Sequence, residues 1–398
     1  DLHRVDRRQR QMCIKRQNLR EVDARGRTIG EKISSAPIIG NNLYTSLDLK
    51  SHQAAHKALN DRKGAVVAID IKDGSIVTLF SSPTFPTNQL ANGILQKDFD
   101  ELLLSEEKPF FNRALKGRYP PASAIKPAIA MYGIEEGLID WNFSIFDEGF
   151  FTLPEDGRIY RDWKEGGHGN TNLFKAITQS SNTYFFDLAY RSDINQLNKH
   201  LLSLGFGDKA CIDCFEEDKV FVPEPSWKMN KHNFGWFKGD TVNMGVGQGY
   251  LVSTPVQLAK YAYIMANKGK FSDLSLKKDL VKSKKSIQFN KFSNDDWLKL
   301  HESMINVIEG NTGTARRLRE KKNYIVAAKT GTAELVSGDN REQYSETRLD
   351  DNLRDHALII AFGPMPNPRY AVSVVVENGE SGGSVAGPVA ISVLNSLI

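Results

Sequence analysis

Apolar positions change their spacing along this chain, and the changes divide it. After Asp48, a good helix-capping residue, Leu49, Ala55, Ala58 and Leu59 fall at helical spacing and predict a helix ending near Leu59. Residues 65–71 and 75–79 then read as strands, joined by Asp73-Gly74, a pair suited to a tight hairpin. From about Phe111 to Gly269 the pattern is mainly helical. Leu173, Ile177, Tyr184 and Leu188 mark one helix face, and Ile194, Leu197 and Leu201 mark another that stops at Gly205. Thr254-Pro255 opens a further helix that Gly269 ends, and Asn294-Asp295 opens one carrying Trp297, Leu300, Met304 and Ile308 up to Gly310. Strands return at 324–328, 357–362 and 370–376, the last two around a turn at 364–368, and a helix over 386–397 closes the chain. Strands at both ends with helices inserted between them predict an α+β fold, an antiparallel sheet with a separate helical lobe. Residues 1–46 are polar and irregular, with a turn at Arg25-Gly26-Arg27, and read as the end of another module.

Composition narrows the function classes. The 398 residues are 40% hydrophobic and carry 52 Lys and Arg against 48 Asp and Glu, so the net charge of +4 gives no case for nucleic-acid binding. The imbalance is local: Arg4, Arg7, Arg8, Arg10, Lys15, Arg16, Arg20, Arg25, Arg27 and Lys32 crowd the start, as in a solvated arm or a segment lying near anionic lipid or an acidic partner. No run of about 18 apolar residues is present to span a membrane. Opening on Asp1 without an initiator Met suggests a mature or trimmed product. Cys211-Ile-Asp-Cys214 has no second pair to complete a zinc knuckle, and a disulfide across it would need a tight turn. Both read as ordinary buried thiols.

Three short motifs carry the chemistry: Ser123-Ala-Ile-Lys126, Ser180-Ser181-Asn182 and Lys329-Thr330-Gly331-Thr332. Pro127 is tolerable in a helix only near its first turn, so the helix starts close to Ser123 and presents free N–H groups to a developing oxyanion. Lys126 lies on the same face one turn later and, if neutral, can take the Ser123 proton. Desolvation and a second cation, Lys329, both favour neutrality. Ser180 is suited to relay a proton between Lys126, Lys329 and a leaving group, and Asn182 to bind a substrate amide and hold Lys126. Gly331 lets a ligand lie against the strand, while Thr330, Thr332 and Lys329 suit a carboxylate. The backbone N–H groups of Ser123 and Thr332 can form an oxyanion hole. Gly245-Val-Gly-Gln-Gly lacks the strand and acidic partner of a dinucleotide loop and reads as a structural loop beside the active site.

Taken in this order, the motifs resemble those of the penicillin-binding proteins, and among them the class B monofunctional transpeptidases of rod-shape elongation in Gram-negative bacteria. The likeness runs from Thr45 to Ile398. It takes in Ser46-Leu-Asp-Leu49, Gly117-Arg-Tyr-Pro-Pro121, Tyr160-Arg-Asp-Trp-Lys164, Gly167-His-Gly169, Gly239-Asp-Thr241, Gly245-Val-Gly-Gln-Gly-Tyr250, Leu353-Arg-Asp-His356 and Glu377-Asn-Gly379. It implies that Ser123 attacks the D-Ala–D-Ala carbonyl of a peptidoglycan stem peptide and releases D-alanine. A neighbouring stem amine then resolves the acyl-enzyme, with a carboxypeptidase side activity, and β-lactams imitate the donor. It implies a transpeptidase domain over 47–398, with 1–46 the remnant of an N-terminal pedestal that engages a lipid-linked glycan polymerase. It also implies a place on the periplasmic side of the inner membrane, through an anchor absent from this chain. No cofactor is implied.

Some relatives in this branch hold a structural metal near the second motif. Asp147, Asp162 and His168 stand at matching positions, but Ser181 stands where those relatives have cysteine. A serine hydroxyl is a poor zinc ligand, so no zinc is expected, and Asp162 and His168 are expected to brace the loop before Ser180 by hydrogen bonds. Two other readings share the motifs: a serine β-lactamase or D,D-carboxypeptidase, which must deacylate quickly by water, and a non-catalytic scaffold or β-lactam sensor. The length and flanking motifs favour the transpeptidase over the first. Intact Ser123, Lys126 and Lys329 argue against the second.

Overall fold

The computed structural model describes residues 18–22, 28–33, 41–278, 280, 282–335 and 353–398. It divides into two compact units, Asp1–Tyr44 and Thr45–Ile398. In the first, β1 (Asn18–Val22) and β2 (Thr28–Ile33) pair antiparallel, with Asn18 opposite Ile33. This corrects the irregular reading of residues 1–46: the pairing is made by backbone groups, which a mixed polar sequence does not advertise. The turn expected at 25–27 lies outside the described residues.

In the second unit, α1 (Leu49–Leu59) starts as expected, because the Asp48 carboxylate accepts from the Ser51 N–H. β3 (Gly64–Asp70) and β4 (Ser75–Ser82) form the hairpin around Asp73-Gly74. A 3₁₀ turn, Ala122–Ile125, runs directly into α2 (Lys126–Glu135), with Pro127 inside the first turn. The apolar face read through residues 173–188 belongs to two helices, α3 (Leu173–Gln179) and α4 (Asn182–Arg191). Between them Ser180 adopts left-handed backbone, φ 61°. Then follow α5 (Ile194–Ser203), α6 (Pro255–Ala266), α7 (Asn294–Glu309), the strands β5 (Ala327–Ala333), β6 (His356–Gly363) and β7 (Tyr370–Val376), and α8 (Gly387–Leu397).

Five strands make one antiparallel sheet in the order β5-β6-β7-β3-β4. Its inner strands are buried on both faces, so they read as continuous apolar runs rather than alternating ones. Val66, Ala68, Ile359, Val372 and Val374 face Leu59 of α1 and Val389, Val393 and Leu394 of α8. Val67, Ile69, Ile360, Phe362 and Val375 face the opposite way, onto Val256 and Ile264 of α6 and Leu300 and Met304 of α7. The sheet is thus sandwiched between helices, and among the described residues β5 is an edge strand. β5 starts three residues later than the sequence suggests and contains the whole third motif, because Lys329 and Thr330 are buried despite their polarity.

Cys211 and Cys214 are joined by a disulfide, with Cα atoms 5.4 Å apart. This corrects the reading of both as free thiols. The chain turns tightly here because the Glu217 carboxylate accepts from the N–H groups of Ala210 and Cys211, drawing the segment back on itself.

Candidate active site

Ser123 sits where three backbone segments meet. The approach is pinned by Tyr119 and Ser253, which exchange backbone hydrogen bonds of 2.9 and 2.8 Å, and by the Ala122 N–H, which donates to the Gly247 carbonyl at 2.9 Å. Ala122 is held at φ 48°, and a Cβ on Gly247 would lie 2.2 Å from the Ala122 oxygen, so only glycine fits there. From β5, Gly331 packs against the same turn. A Cβ there would stand 3.2 Å from the Pro121 oxygen and 3.3 Å from the Ala124 nitrogen. Gly331 therefore serves close approach of strand to turn, not only of ligand to strand. The loop after Gly245 lies beside the site as expected, and its Gln248 amide donates to the Thr332 carbonyl at 3.2 Å.

Lys126, Ser180, Asn182 and Lys329 form one buried cluster. Lys126 Nζ donates to the Ser180 carbonyl at 2.8 Å, the Asn182 Oδ1 at 2.7 Å and the Ser180 Oγ at 3.3 Å. Lys329 Nζ donates to the same Ser180 Oγ at 2.8 Å and to the Thr330 carbonyl at 3.0 Å. The left-handed conformation of Ser180 lets its hydroxyl face both lysines. Among the described residues Ser123 Oγ makes no hydrogen bond, and Lys126 Nζ spends its bonds on Ser180 and Asn182. Thr330 Oγ1 pairs with Thr314 Oγ1 at 2.7 Å, tying β5 to the loop after α7.

Burial pushes Lys126 down to about 7, against the opposing pull of the Asp162 and Asp147 carboxylates. Lys329 is held well below its ordinary value by burial first and then by the charge of Lys126. Desolvation is the first cause for both lysines, and the two ammonium groups, each on the same Ser180 Oγ, disfavour each other's charge. A lysine balanced near neutrality can accept a proton from a serine and return it to a leaving group.

The bracing expected of Asp162 and His168 is present, but it grips the start of α4 as well as the loop before it. Asp162 Oδ2 accepts from the N–H groups of Asn182 at 2.5 Å and Thr183 at 2.9 Å. His168 Nδ1 donates to Asp147 Oδ2 at 2.8 Å, and Ser181 Oγ donates to the same oxygen at 2.7 Å. Burial alone would raise Asp147, but the bonds from His168, Ser181 and the Gly149 N–H outweigh it and hold the carboxylate well below its ordinary range. Asp147, Asp162 and His168 place their ligand atoms within 4.8 Å of one another. The fourth group, Ser181, is neutral, donates to Asp147 and caps α4 by accepting from the Tyr184 N–H at 3.1 Å. This donor set does not fit a structural zinc, which takes thiolate, imidazole or carboxylate in every position. Trp163, whose indole N–H donates to the Ser180 carbonyl at 3.1 Å, and Gln248 stand inside motifs of the family likeness but had no role assigned from sequence. Thr314 was not singled out at all, and nothing local marks it, because its partner Thr330 lies on another element.

Residues 64–395 match the family model of the penicillin binding protein transpeptidase domain, and the chain belongs to that family. Among its relatives, it is 40% identical over 375 residues to the peptidoglycan D,D-transpeptidase MrdA of Acinetobacter baumannii, covering 92% of this chain and 55% of that one. It superposes on Pseudomonas aeruginosa PBP2, solved in complex with WCK 5153, with a TM-score of 0.82 and 35% identity, over 91% of this chain and 77% of that one. Helicobacter pylori PBP2, solved in complex with MreC, matches with a TM-score of 0.83 and 30% identity, over 95% of this chain and 68% of that one. The chain spans between 55% and 62% of the length of the MrdA relatives it matches.

Proposed function

We propose that this chain is the catalytic part of a peptidoglycan D,D-transpeptidase of the cell-elongation machinery, acting on the periplasmic face of the inner membrane. Ser123 is the nucleophile, and Lys126 is the base that takes its proton. Ser180 passes a proton between Lys126, Lys329 and the leaving D-alanine. Asn182 holds Lys126 and meets a substrate amide. Thr330, Gly331 and Thr332 line the edge of β5 on which the stem peptide lies, and a substrate carboxylate arriving beside Lys329 favours its charged form. Residues 47–398 form the transpeptidase domain, and 1–46 are the end of a pedestal that, in the whole protein, engages a lipid-linked glycan polymerase. The complex of a Helicobacter relative with MreC supports assembly through a larger complex.

The observation that carries this reading is the single Ser180 hydroxyl within hydrogen-bond reach of two wholly buried lysines, of which Lys126 lies one turn after Ser123. The test is intact-mass measurement after penicillin treatment, followed by peptide mapping. The expected result is one stable adduct on Ser123, absent from Ser123→Ala. Release of the adduct within seconds would instead assign a β-lactamase, and no adduct on the parent protein would defeat both enzyme readings.

A further inference from the structure

The break between α3 and α4 is gripped from outside the helix pair. Asp162 and Trp163, adjacent in sequence, take hold of opposite sides of the Ser180-Ser181-Asn182 turn. The Asp162 carboxylate accepts from the first N–H groups of α4, while the Trp163 indole N–H donates to the Ser180 carbonyl. That carbonyl also accepts from Lys126. The Trp163 ring is 59% exposed and meets His168 edge-on at 5.6 Å. Burial of apolar surface does not account for an exposed tryptophan here. Its one donor lies on an oxygen shared with a buried lysine.

We propose that Trp163 is a positioning residue for acyl transfer: with Asp162 it clamps the Ser180 turn where one hydroxyl meets both lysines, and its N–H limits the hold of the Ser180 carbonyl on the Lys126 ammonium. The inference rests on the transpeptidase reading of the same residues. A carbonyl oxygen has two lone pairs, and two donors on one acceptor weaken each other. Removing the indole donor strengthens the carbonyl's bond to Lys126 and favours its charged form, which cannot act as a base. The other groups facing Lys126 stay in place: Asn182 Oδ1 and the Phe185 ring on α4, Ser180 Oγ with Lys329 of β5 beyond it, and the more distant carboxylates of Asp162 and Asp147.

The test compares the parent protein with Trp163→Phe, following acylation by fluorescent penicillin against concentration and pH. The expected result at neutral pH is a saturating rate about 10-fold lower, the worth of one hydrogen bond. The half-saturating concentration should stay within about 2-fold, and the acid limb of the pH profile should move to higher pH. A second variant carries benzothienylalanine at 163, which keeps the shape of tryptophan and lacks only the N–H. It should reproduce the slow rate and the shifted limb at an unchanged melting temperature. If the isostere acylates at the parent's rate with the parent's pH midpoint, the proposal is wrong, whatever Trp163→Phe does to folding. If the parent itself takes no label, the transpeptidase reading falls and this inference with it.

Discussion

Two of the buried polar clusters in the transpeptidase unit handle charge in opposite ways. In one, Arg113 Nε donates to Glu377 Oε1 at 2.9 Å, and the Tyr119 hydroxyl donates to the same oxygen at 2.7 Å. Nη1 and Nη2 donate to the carbonyls of Lys108 and Glu107. The two charges are paired, and each guanidinium nitrogen has an acceptor. In the other, Lys126 and Lys329 share only neutral acceptors, and among the described residues no carboxylate touches either Nζ. Paired ions in a dry site stay ionised. Unpaired lysines in a dry site shed protons easily, as a proton-transfer centre requires. The first cluster holds the run-up to Ser123 against the end of β7, and the second has the charge balance that the proposed proton transfer needs.

The largest expected effect tests the second cluster. Lys126→Ala should slow acylation by penicillin about 10³-fold, the ordinary worth of a positioned base, while the melting temperature holds or rises because a buried cation has gone. A rate within about tenfold of the parent would make this lysine as structural as Arg113. The reciprocal change is Glu377→Gln, which strands a buried guanidinium. It should cost about 3 kcal/mol in chemical denaturation and leave acylation of the folded fraction within about 3-fold. Loss of acylation without loss of stability would erase the distinction between the clusters.

A pH series sharpens the contrast. Lys126 titrates at about 7 when folded, against its ordinary 10.5. Below about 7 both folded and unfolded chains carry the proton, and the cost of burying the charge is fully present. Between about 7 and about 10.5 the unfolded chain binds more protons, so this lysine makes stability rise with pH across that window. Lys329 acts in the same direction. The acylation rate should rise with pH through about 7 as Lys126 becomes neutral. In Lys126→Met, the stability difference from the parent should shrink from pH 7.5 to 9.5. In Arg113→Met it should not, because a guanidinium stays charged throughout. Denaturation midpoints at the two pH values decide this, and parallel behaviour of the two variants would contradict the contrast.

The parts of the site legible in the sequence are those fixed by local constraints. Pro127 alone places a helix start at Ser123, and Asp48 and Thr254-Pro255 mark two further starts that the structure reproduces. The break at Ser180 was hidden because Leu173, Ile177, Tyr184 and Leu188 keep helical phase across it. The bonds that accompany the break come from Asp162 and Trp163, about twenty residues earlier. β5 was cut short for a related reason. Lys329 and Thr330 look like the polar end of a strand, and only their distant partners, Ser180 Oγ and Thr314 Oγ1, make them interior.

The smallest expected effect concerns the feature that sequence reading got wrong. Two cysteines three residues apart are too distant in an extended chain, and nothing local announces the turn that joins Cys211 to Cys214. The turn is held by carboxylates as well as by the disulfide. Glu217 accepts from the Ala210 and Cys211 N–H groups, and Asp213 accepts from those of Leu276 and Lys277. Closing so short a loop contributes at most about 2 kcal/mol. Reduction, or Cys214→Ser, should therefore lower the melting temperature slightly and leave acylation within about 2-fold. The route by which it could do more is visible: the Asp218 N–H donates to the Leu115 carbonyl, and Arg118 pairs with the Asp218 carboxylate at 3.0 Å, one residue before Tyr119. A large loss of acylation on reduction would mean that this loop, and not the Arg113–Glu377 pair alone, sets the approach to Ser123.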